Sequence, residues 1–141
     1  MESSERRLLA VVRSLFPGVR HTTLTTHPGT ASLRRYAAGS FPSPGEILAL
    51  PFDWEAVSPF DRSVLEAAAS VPAGKTSSYG AVAAASGHPG AARAAGGALG
   101  RNPWPVLIPC HRVIGADGRL TGYGKGVAAK KRLLDFESNR S

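Results

Sequence analysis

The sequence predicts an α+β chain, mostly helical, organised around a helix-turn-helix with a short β-hairpin beside it. Three observations carry this. Apolar residues recur at helical spacing in several short stretches. Two such stretches are joined by Gly87-His88-Pro89-Gly90, a turn of the size that links the helices of a helix-turn-helix. Asp117-Gly118 then supplies a hairpin turn signal in an otherwise helical C-terminal half.

In chain order, Leu8, Leu9, Val11, Val12, Leu15 and Phe16 follow the i, i+3, i+4 rule and predict a helix over 4–16, stopped by Pro17-Gly18. Residues 19–30 are Thr-rich and fit either a strand or an irregular loop. A short helix is expected over 31–38, closed by Gly39. Phe41-Pro42-Ser43-Pro44-Gly45 reads as a turn or linker, and the apolar run 46–52 as one strand. Ser58-Pro59-Phe60-Asp61 is a helix start: a Ser cap, Pro in the first turn and an acid three residues after the cap. Phe60, Val64, Leu65 and Ala68 then line one face, and Val71-Pro72-Ala73-Gly74 ends the element. A second helix is expected from about Tyr79 to Gly87 and a third from about Pro89 to Leu99.

The third helix has almost no side-chain bulk except Arg93, and its internal glycines, Gly96 and Gly97, each cost about 1 kcal/mol relative to Ala. Two reasons could justify that: tight packing against a neighbouring helix, or close approach to a DNA groove with Arg93 protruding. A strand-like apolar run, 103–109, then breaks at Pro109. After the turn at Asp117-Gly118 come the flexible stretch Gly122-Tyr123-Gly124-Lys125-Gly126 and a final helix, about Val127 to Glu137, burying Leu133, Leu134 and Phe136.

A length of 141 residues fits one domain of ordinary size. At 43% hydrophobic and 19% charged, the composition is globular rather than disordered. No apolar run approaches the ~20 residues that span a membrane, and the N-terminus lacks the apolar segment of a signal peptide. A soluble, unexported protein is expected, cytoplasmic or, in a eukaryote, nuclear. The 17 basic and 10 acidic residues leave a net charge of +7 and a pI of about 10.3. Between Lys75 and Lys131 the basic residues Lys75, Arg93, Arg101, Arg112, Arg119, Lys125, Lys130 and Lys131 face one acid, Asp117. Such an excess suits a polyanion such as nucleic acid, or serves solubility.

There is one cysteine, Cys110. A disulfide within the chain is excluded, and a Cys-based zinc site is not expected. A lone thiol is either buried filler or a nucleophile, and a nucleophile needs a base or positive charge nearby because a free thiol is little ionised at neutral pH. His111 and Arg112 follow it directly. In an extended strand neighbours point to opposite faces, so Cys110 and His111 can cooperate only if the chain bends or a water bridges them.

Pro109-Cys110-His111-Arg112-Val113 resembles the active-site motif of the O6-alkylguanine-DNA alkyltransferases, the methylated-DNA–protein-cysteine methyltransferases. Tyr79, Gly90-Ala91-Ala92-Arg93-Ala94, Asn102-Pro103, Ile108-Pro109, Gly122-Tyr123 and the final helix with Leu133, Leu134 and Glu137 fall in matching order and spacing. The likeness runs without a gap from about Ser58 to Glu137, is loose over 31–57 and is absent before 31.

The resemblance implies DNA repair: base flipping in double-stranded DNA, then transfer of an alkyl group from O6-alkylguanine, with O4-alkylthymine as a further substrate, to Cys110. Each molecule acts once, as a monomer, with no cofactor, metal or membrane. By the same resemblance Cys110 is the acceptor, His111 the base acting through a water, and Glu137 the residue that orients His111. Arg93 fills the space left by the flipped nucleotide, and Tyr79 pushes the phosphate and contacts the base. Ala91, Ala92 and Gly96 belong to the small-residue helix that meets the minor groove. Asn102 is the hinge between the helix-turn-helix and the cysteine segment, and Val113, Tyr123 and Gly124 line the pocket. The implied organisation is a winged-helix-like helix-turn-helix active-site domain over 58–141, preceded by a reduced N-terminal region, 1–57, where the family carries a larger domain built on a small antiparallel sheet. That region is also where an additional protein partner would be sought. Other readings are an alkyltransferase-like protein that binds damage without reacting, although those lack the cysteine; a specialised branch with another substrate; and a winged-helix regulator with a buried thiol.

Overall fold

The computed structural model describes residues 29–118 and 127–138. The expected helix over 4–16, residues 19–28, and Tyr123 and Gly124 lie outside the described residues. Helix α1 (Gly29–Ala37) closes on Gly39, at φ 87°. The Ser40 N–H reaches the Arg35 carbonyl at 2.8 Å and the Gly39 N–H the Tyr36 carbonyl at 2.9 Å, the paired bonds that only a left-handed residue permits.

The next segment corrects two expectations. Residues 46–52 are not a strand, and 41–45 are not a plain linker. Ser43 caps a short helix, α2 (Pro44–Leu48), with its Oγ accepting the Glu46 N–H at 3.2 Å and Pro44 in the first turn. Ser43-Pro44-Gly45-Glu46 thus carries the same start signal as Ser58-Pro59-Phe60-Asp61, and the cap overrides the apolar run behind it. Ile47 turns inward, while Leu48 is 39% exposed. One turn of 3-10 helix, Trp54–Ala56, follows.

Helix α3 (Pro59–Ala69) begins as expected, with Ser58 Oγ accepting the Asp61 N–H at 3.1 Å, and buries Val64, Leu65, Ala68 and Ala69. Helices α4 (Tyr79–Ala85) and α5 (Ala92–Gly100) form the helix-turn-helix. Both are shorter at the turn than expected, because Gly87 (φ 89°) and Gly90 (φ 85°) take the left-handed conformation and place Pro89 between the helices. The His88 N–H bonds to the Ala83 carbonyl and the Gly87 N–H to the Ala84 carbonyl, repeating the stop at Gly39. Arg101 follows α5 and pairs through two nitrogens with Asp61 of α3, at 2.8 and 2.9 Å.

The described strands differ from the expected hairpin. Strand β1 (Ser77–Ser78) pairs in parallel with β2 (Val113–Ile114), so the contact joins the chain before α4 to the chain after Cys110. The turn at Asp117-Gly118 is present, with the Gly118 N–H on the Gly115 carbonyl at 2.9 Å and Gly118 at φ 84°. A strand returning from it would lie outside the described residues. Residues 103–109 also differ: they form a tight bend with one bridge, Pro105 to Ile108, and the Ile108 N–H on the Trp104 carbonyl at 2.9 Å. Three prolines deny this segment the donors a central strand needs. Val106 sits inside the bend at φ 74°, a conformation that a β-branched residue seldom adopts.

Helices α3, α4 and α5 pack around one core that also takes Ile47, Phe52, Leu107, Ile108, Cys110 and Val113. A second cluster joins α1 to the last helix, α6 (Val127–Ser138), through Tyr36, Ala37, Val106 and Leu133. Ile47→Ala is expected to cost about 2–4 kcal/mol by cavity formation, and Leu48→Ala about 0.5 kcal/mol or less. Urea unfolding of both variants checks this, and equal costs would contradict the placement of α2.

Candidate active site

Cys110 opens a single 3-10 turn, Cys110–Arg112, and the turn exists because of Pro109. Pro109 takes φ −81°, ψ 64°, and the Cys110 N–H reaches back to the Ile108 carbonyl at 2.8 Å, an inverse γ-turn. The Arg112 N–H then bonds to the Pro109 carbonyl at 3.0 Å. The chain therefore bends at the thiol, as cooperation between Cys110 and His111 requires, and all three side chains of the turn are buried. Asn102 ties this turn to the end of α5. Its Nδ2 donates to the Ile108 carbonyl at 2.9 Å and to Cys110 Sγ at 3.3 Å, while its Oδ1 accepts the Trp104 N–H at 2.9 Å.

Glu137, fully buried on α6, is the centre of the charge network. His111 Nε2 lies 2.7 Å from Glu137 Oε2. Arg112 grips the same carboxylate with both forks, Nε to Oε1 at 2.7 Å and Nη2 to Oε2 at 2.9 Å, and spends Nη1 on the Val71 carbonyl at 2.9 Å. The Tyr36 hydroxyl donates to Oε2 as well. Burial pushes the Glu137 carboxyl up, but the hydrogen bonds and charges of His111 and Arg112 outweigh it and hold it at about 2. Burial lowers the His111 imidazole; Glu137 opposes this, and the Arg112 and Lys130 cations add to it. The imidazole is thus neutral near neutral pH. With Nε2 donating its proton to Glu137, Nδ1 carries the lone pair, and this buried atom has no hydrogen-bond partner among the described residues. The arrangement is a thiol, a neutral base with a free lone pair and a carboxylate that fixes the tautomer.

Lys130 lies one turn of chain before Leu133 on the inward face of α6, buried despite its charge. Its Nζ donates to the Val113 carbonyl at 2.5 Å, lies 3.5 Å from the Tyr79 hydroxyl and stands 5.6 Å from the Tyr79 ring centroid. Burial lowers its ammonium, against the pull of Cys110. Tyr79, half-buried at the start of α4, has its phenol raised by burial and then by Cys110. Val113 is buried in β2 beside the cysteine turn.

The sequence placed Cys110, His111, Glu137, Asn102, Val113 and Tyr79 in one site, and the structure brings them together. It sets Arg93 apart, exposed on the outer face of α5 with Ala94, Gly97 and Gly100. Ala91 is the cap position of α5, half-buried against the core, and Ala92 is its first residue. Three residues were missed. Arg112 stood in the motif without a role, Lys130 carries the periodic signal of Leu133 and Glu137, and Tyr36 has no local signal at all. The count of basic residues suited to a polyanion also needs correction, since Arg112 and Lys130 are buried on internal partners and Arg101 is paired with Asp61.

The glycines of α5 bear on the two reasons offered for them. A Cβ on Gly96 would sit 3.7 Å from the Tyr79 ring, an ordinary contact, and one on Gly100 would meet nothing within 4 Å. A Cβ on Gly97 would meet only the far end of the Arg101 side chain, at 3.3 Å. A Cβ at Gly96 or Gly100 is thus accommodated inside the protein, whereas one at Gly97 needs the Arg101 guanidinium to give by a few tenths of an ångström.

Residues 59–139 match the family model described as the DNA-binding domain of 6-O-methylguanine DNA methyltransferase. A methylated-DNA–protein-cysteine methyltransferase of Mycobacterium bovis is 51% identical over 82 residues, 58% of this chain and 50% of the relative. One from Salmonella typhimurium is 52% identical over 79 residues, 56% of this chain and 46% of the relative. The chain spans about half the length of the curated relatives it matches. Among solved structures, Mycobacterium tuberculosis OGT in complex with DNA superposes with a TM-score of 0.65 at 40% identity, covering 80% of this chain and 67% of that one. The O6-methylguanine-DNA methyltransferase of Pyrococcus kodakaraensis gives 0.63 at 28% identity, covering 94% and 77%.

The buried network fixes the pH response. Glu137 is held near 2 against an ordinary 4.5, so its stabilisation is present above about 4.5 and is lost as pH falls toward 2. His111 is lowered from 6.5, so the unfolded chain takes up its proton first and stability also declines below that pH. Both act in the same direction. Glu137→Gln leaves Arg112 buried and unpaired and is expected to cost about 3–5 kcal/mol at pH 7, with a flatter pH dependence between 4.5 and 2. Urea titrations across pH check this, and a wild type equally stable at pH 3 and 7 would contradict it.

Proposed function

The chain belongs to the 6-O-methylguanine DNA methyltransferase family by its DNA-binding domain, and from that premise we propose that it repairs alkylated DNA by taking the alkyl group onto Cys110. The observation that supports this most directly is the relay at the thiol. His111, the residue next to Cys110 in the same turn, carries a buried Nδ1 lone pair, and Glu137 holds the other ring nitrogen at 2.7 Å. The Cys110 proton passes to Nδ1 through a bridging water, and the thiolate attacks the alkyl carbon on guanine O6. The C–S bond forms as the C–O6 bond breaks, and guanine leaves with the electron pair and takes up a proton. The thioether is inert, and the reading calls for no cofactor to restore the thiol, so each molecule acts once.

Guanine O6 is packed in the base stack, out of reach of a buried thiol, so the nucleotide must leave the duplex, at a cost of a few kcal/mol that is smaller for a damaged pair. In this reading α5 lies against the minor groove, where Arg93 enters the space left behind and offsets part of that cost. The open space at Gly100, where a Cβ would meet nothing within 4 Å, supports such an approach. The half-buried Tyr79, facing the cysteine turn, contacts the flipped nucleotide, and Asn102 keeps the cysteine turn in register with the helix-turn-helix.

Intact-protein mass after mixing with a duplex carrying one O6-methylguanine tests the reading. The wild type is expected to gain one methyl group and Cys110→Ala none, while both bind the duplex. Binding without a mass gain would point instead to a damage-binding protein or to a specialised branch with another substrate. Arg93→Ala is expected to slow repair of the duplex more than reaction with free O6-benzylguanine, and equal losses would refute its part in flipping. Gly100→Ala, where the added Cβ meets nothing within 4 Å, should leave the free protein no less stable yet weaken duplex binding. Unchanged affinity in a salt-controlled binding assay would sink the groove contact.

A further inference from the structure

Tyr36 belongs to α1, outside the stretch matched by the family model, yet its hydroxyl reaches the centre of the charge network. It is buried, and its ring is held by Phe41 at 5.0 Å and Phe136 at 5.7 Å between centroids, with its face edge-on to His111 at 6.5 Å. Its hydrogen bond goes to Glu137 Oε2, the oxygen that also faces His111 Nε2. We propose that Tyr36 is a positioning residue for the transfer reaction, one that tempers the base His111 by competing with it for a single carboxylate oxygen.

The physical argument concerns charge on that oxygen. Each donor it accepts draws electron density and lowers its attraction for a further proton or cation. The groups around His111 are Glu137 and Lys130 from α6, Cys110 and Arg112 from its own turn, and Tyr36 from α1. Arg112 holds both carboxylate oxygens, so loss of the Tyr36 hydroxyl leaves Glu137 in place. What changes is its pull on His111, which becomes stronger. A hydroxyl that merely braced Glu137 would give the opposite outcome, because a loosened carboxylate holds the imidazole less well. The direction of the effect therefore distinguishes the two roles.

The inference rests on reading Cys110 and His111 as acceptor and base, and its test separates the two. In the full chain with 15N-labelled histidine, the His111 Nε2–H proton resonance is recorded at neutral pH for wild type, Tyr36→Phe and Phe41→Leu. The resonance is assigned by its loss in His111→Gln. Tyr36→Phe keeps the ring and removes the hydroxyl, whereas Phe41→Leu disturbs the ring packing and keeps the hydroxyl. The expected result is a shift to lower field in Tyr36→Phe alone. The acid limb of the methyl-transfer rate should move up by about half a pH unit in the same variant. An unmoved or higher-field resonance in Tyr36→Phe, or an equal shift in Phe41→Leu, would overturn the proposal. If the wild type transfers no methyl group, the alkyl-transfer reading fails, and the resonance still decides for Tyr36.

Discussion

A carboxylate with no access to water holds this molecule together. Glu137 sits on the last described helix, and by itself its burial would be prohibitive, since an ion loses several kcal/mol of hydration on entering a protein interior. It is tolerated because four donors converge on two oxygens: two from Arg112, one from His111 and one from Tyr36. Those donors come from the cysteine turn and from α1, so neutralising one charge brings three separate stretches of chain to one point. The same contacts make His111 a neutral base with a defined tautomer. Stability and the proposed chemistry therefore share their atoms here.

The side proposed to meet DNA is built differently. Helix α5 buries Ala95, Ala98 and Leu99 and presents Arg93, Ala94, Gly97 and Gly100 outward. Its inner face packs against the core, and its outer face carries residues of poor helix propensity. The Asp61–Arg101 pair anchors its C-terminal end to α3 across 40 positions of sequence, partly offsetting what the glycines lose. Asn102 then links this end of α5 to the thiol, so the surface proposed to meet DNA and the atom proposed to react are joined by one residue.

Much of this was legible in the sequence, for reasons that differ by residue. Caps and left-handed glycines act through neighbouring atoms, so Ser58, Gly39 and Gly87 marked their helix ends correctly. Ser43 carried the same signal, but the apolar run behind it resembled a strand and α2 went unread. Cys110, His111 and Glu137 were placed by family likeness, which preserves order and spacing even where the residues are far apart. Arg112 and Lys130 looked like surface charge, because burial of a cation depends on partners that lie elsewhere in the chain. Tyr36 had no chance of being found: its significance depends on a contact with a residue 101 positions away. The parallel pairing of β1 with β2 was hidden for the same reason, since two-residue strands carry no periodicity.

That long separation bears on how the molecule is made. Arg112 and Glu137 are 25 positions apart, and Tyr36 and Glu137 are 101. During synthesis the cysteine turn emerges well before α6 does, and domains fold as units as the chain is released. Until α6 emerges, the Arg112 guanidinium lacks the Glu137 carboxylate it meets in the folded protein, so burying it is unfavourable. Contacts of high sequence separation also form late, because the loop entropy must be overcome first. The nascent protein therefore holds Cys110 and His111 in a turn whose buried charge is uncompensated until α6 has emerged.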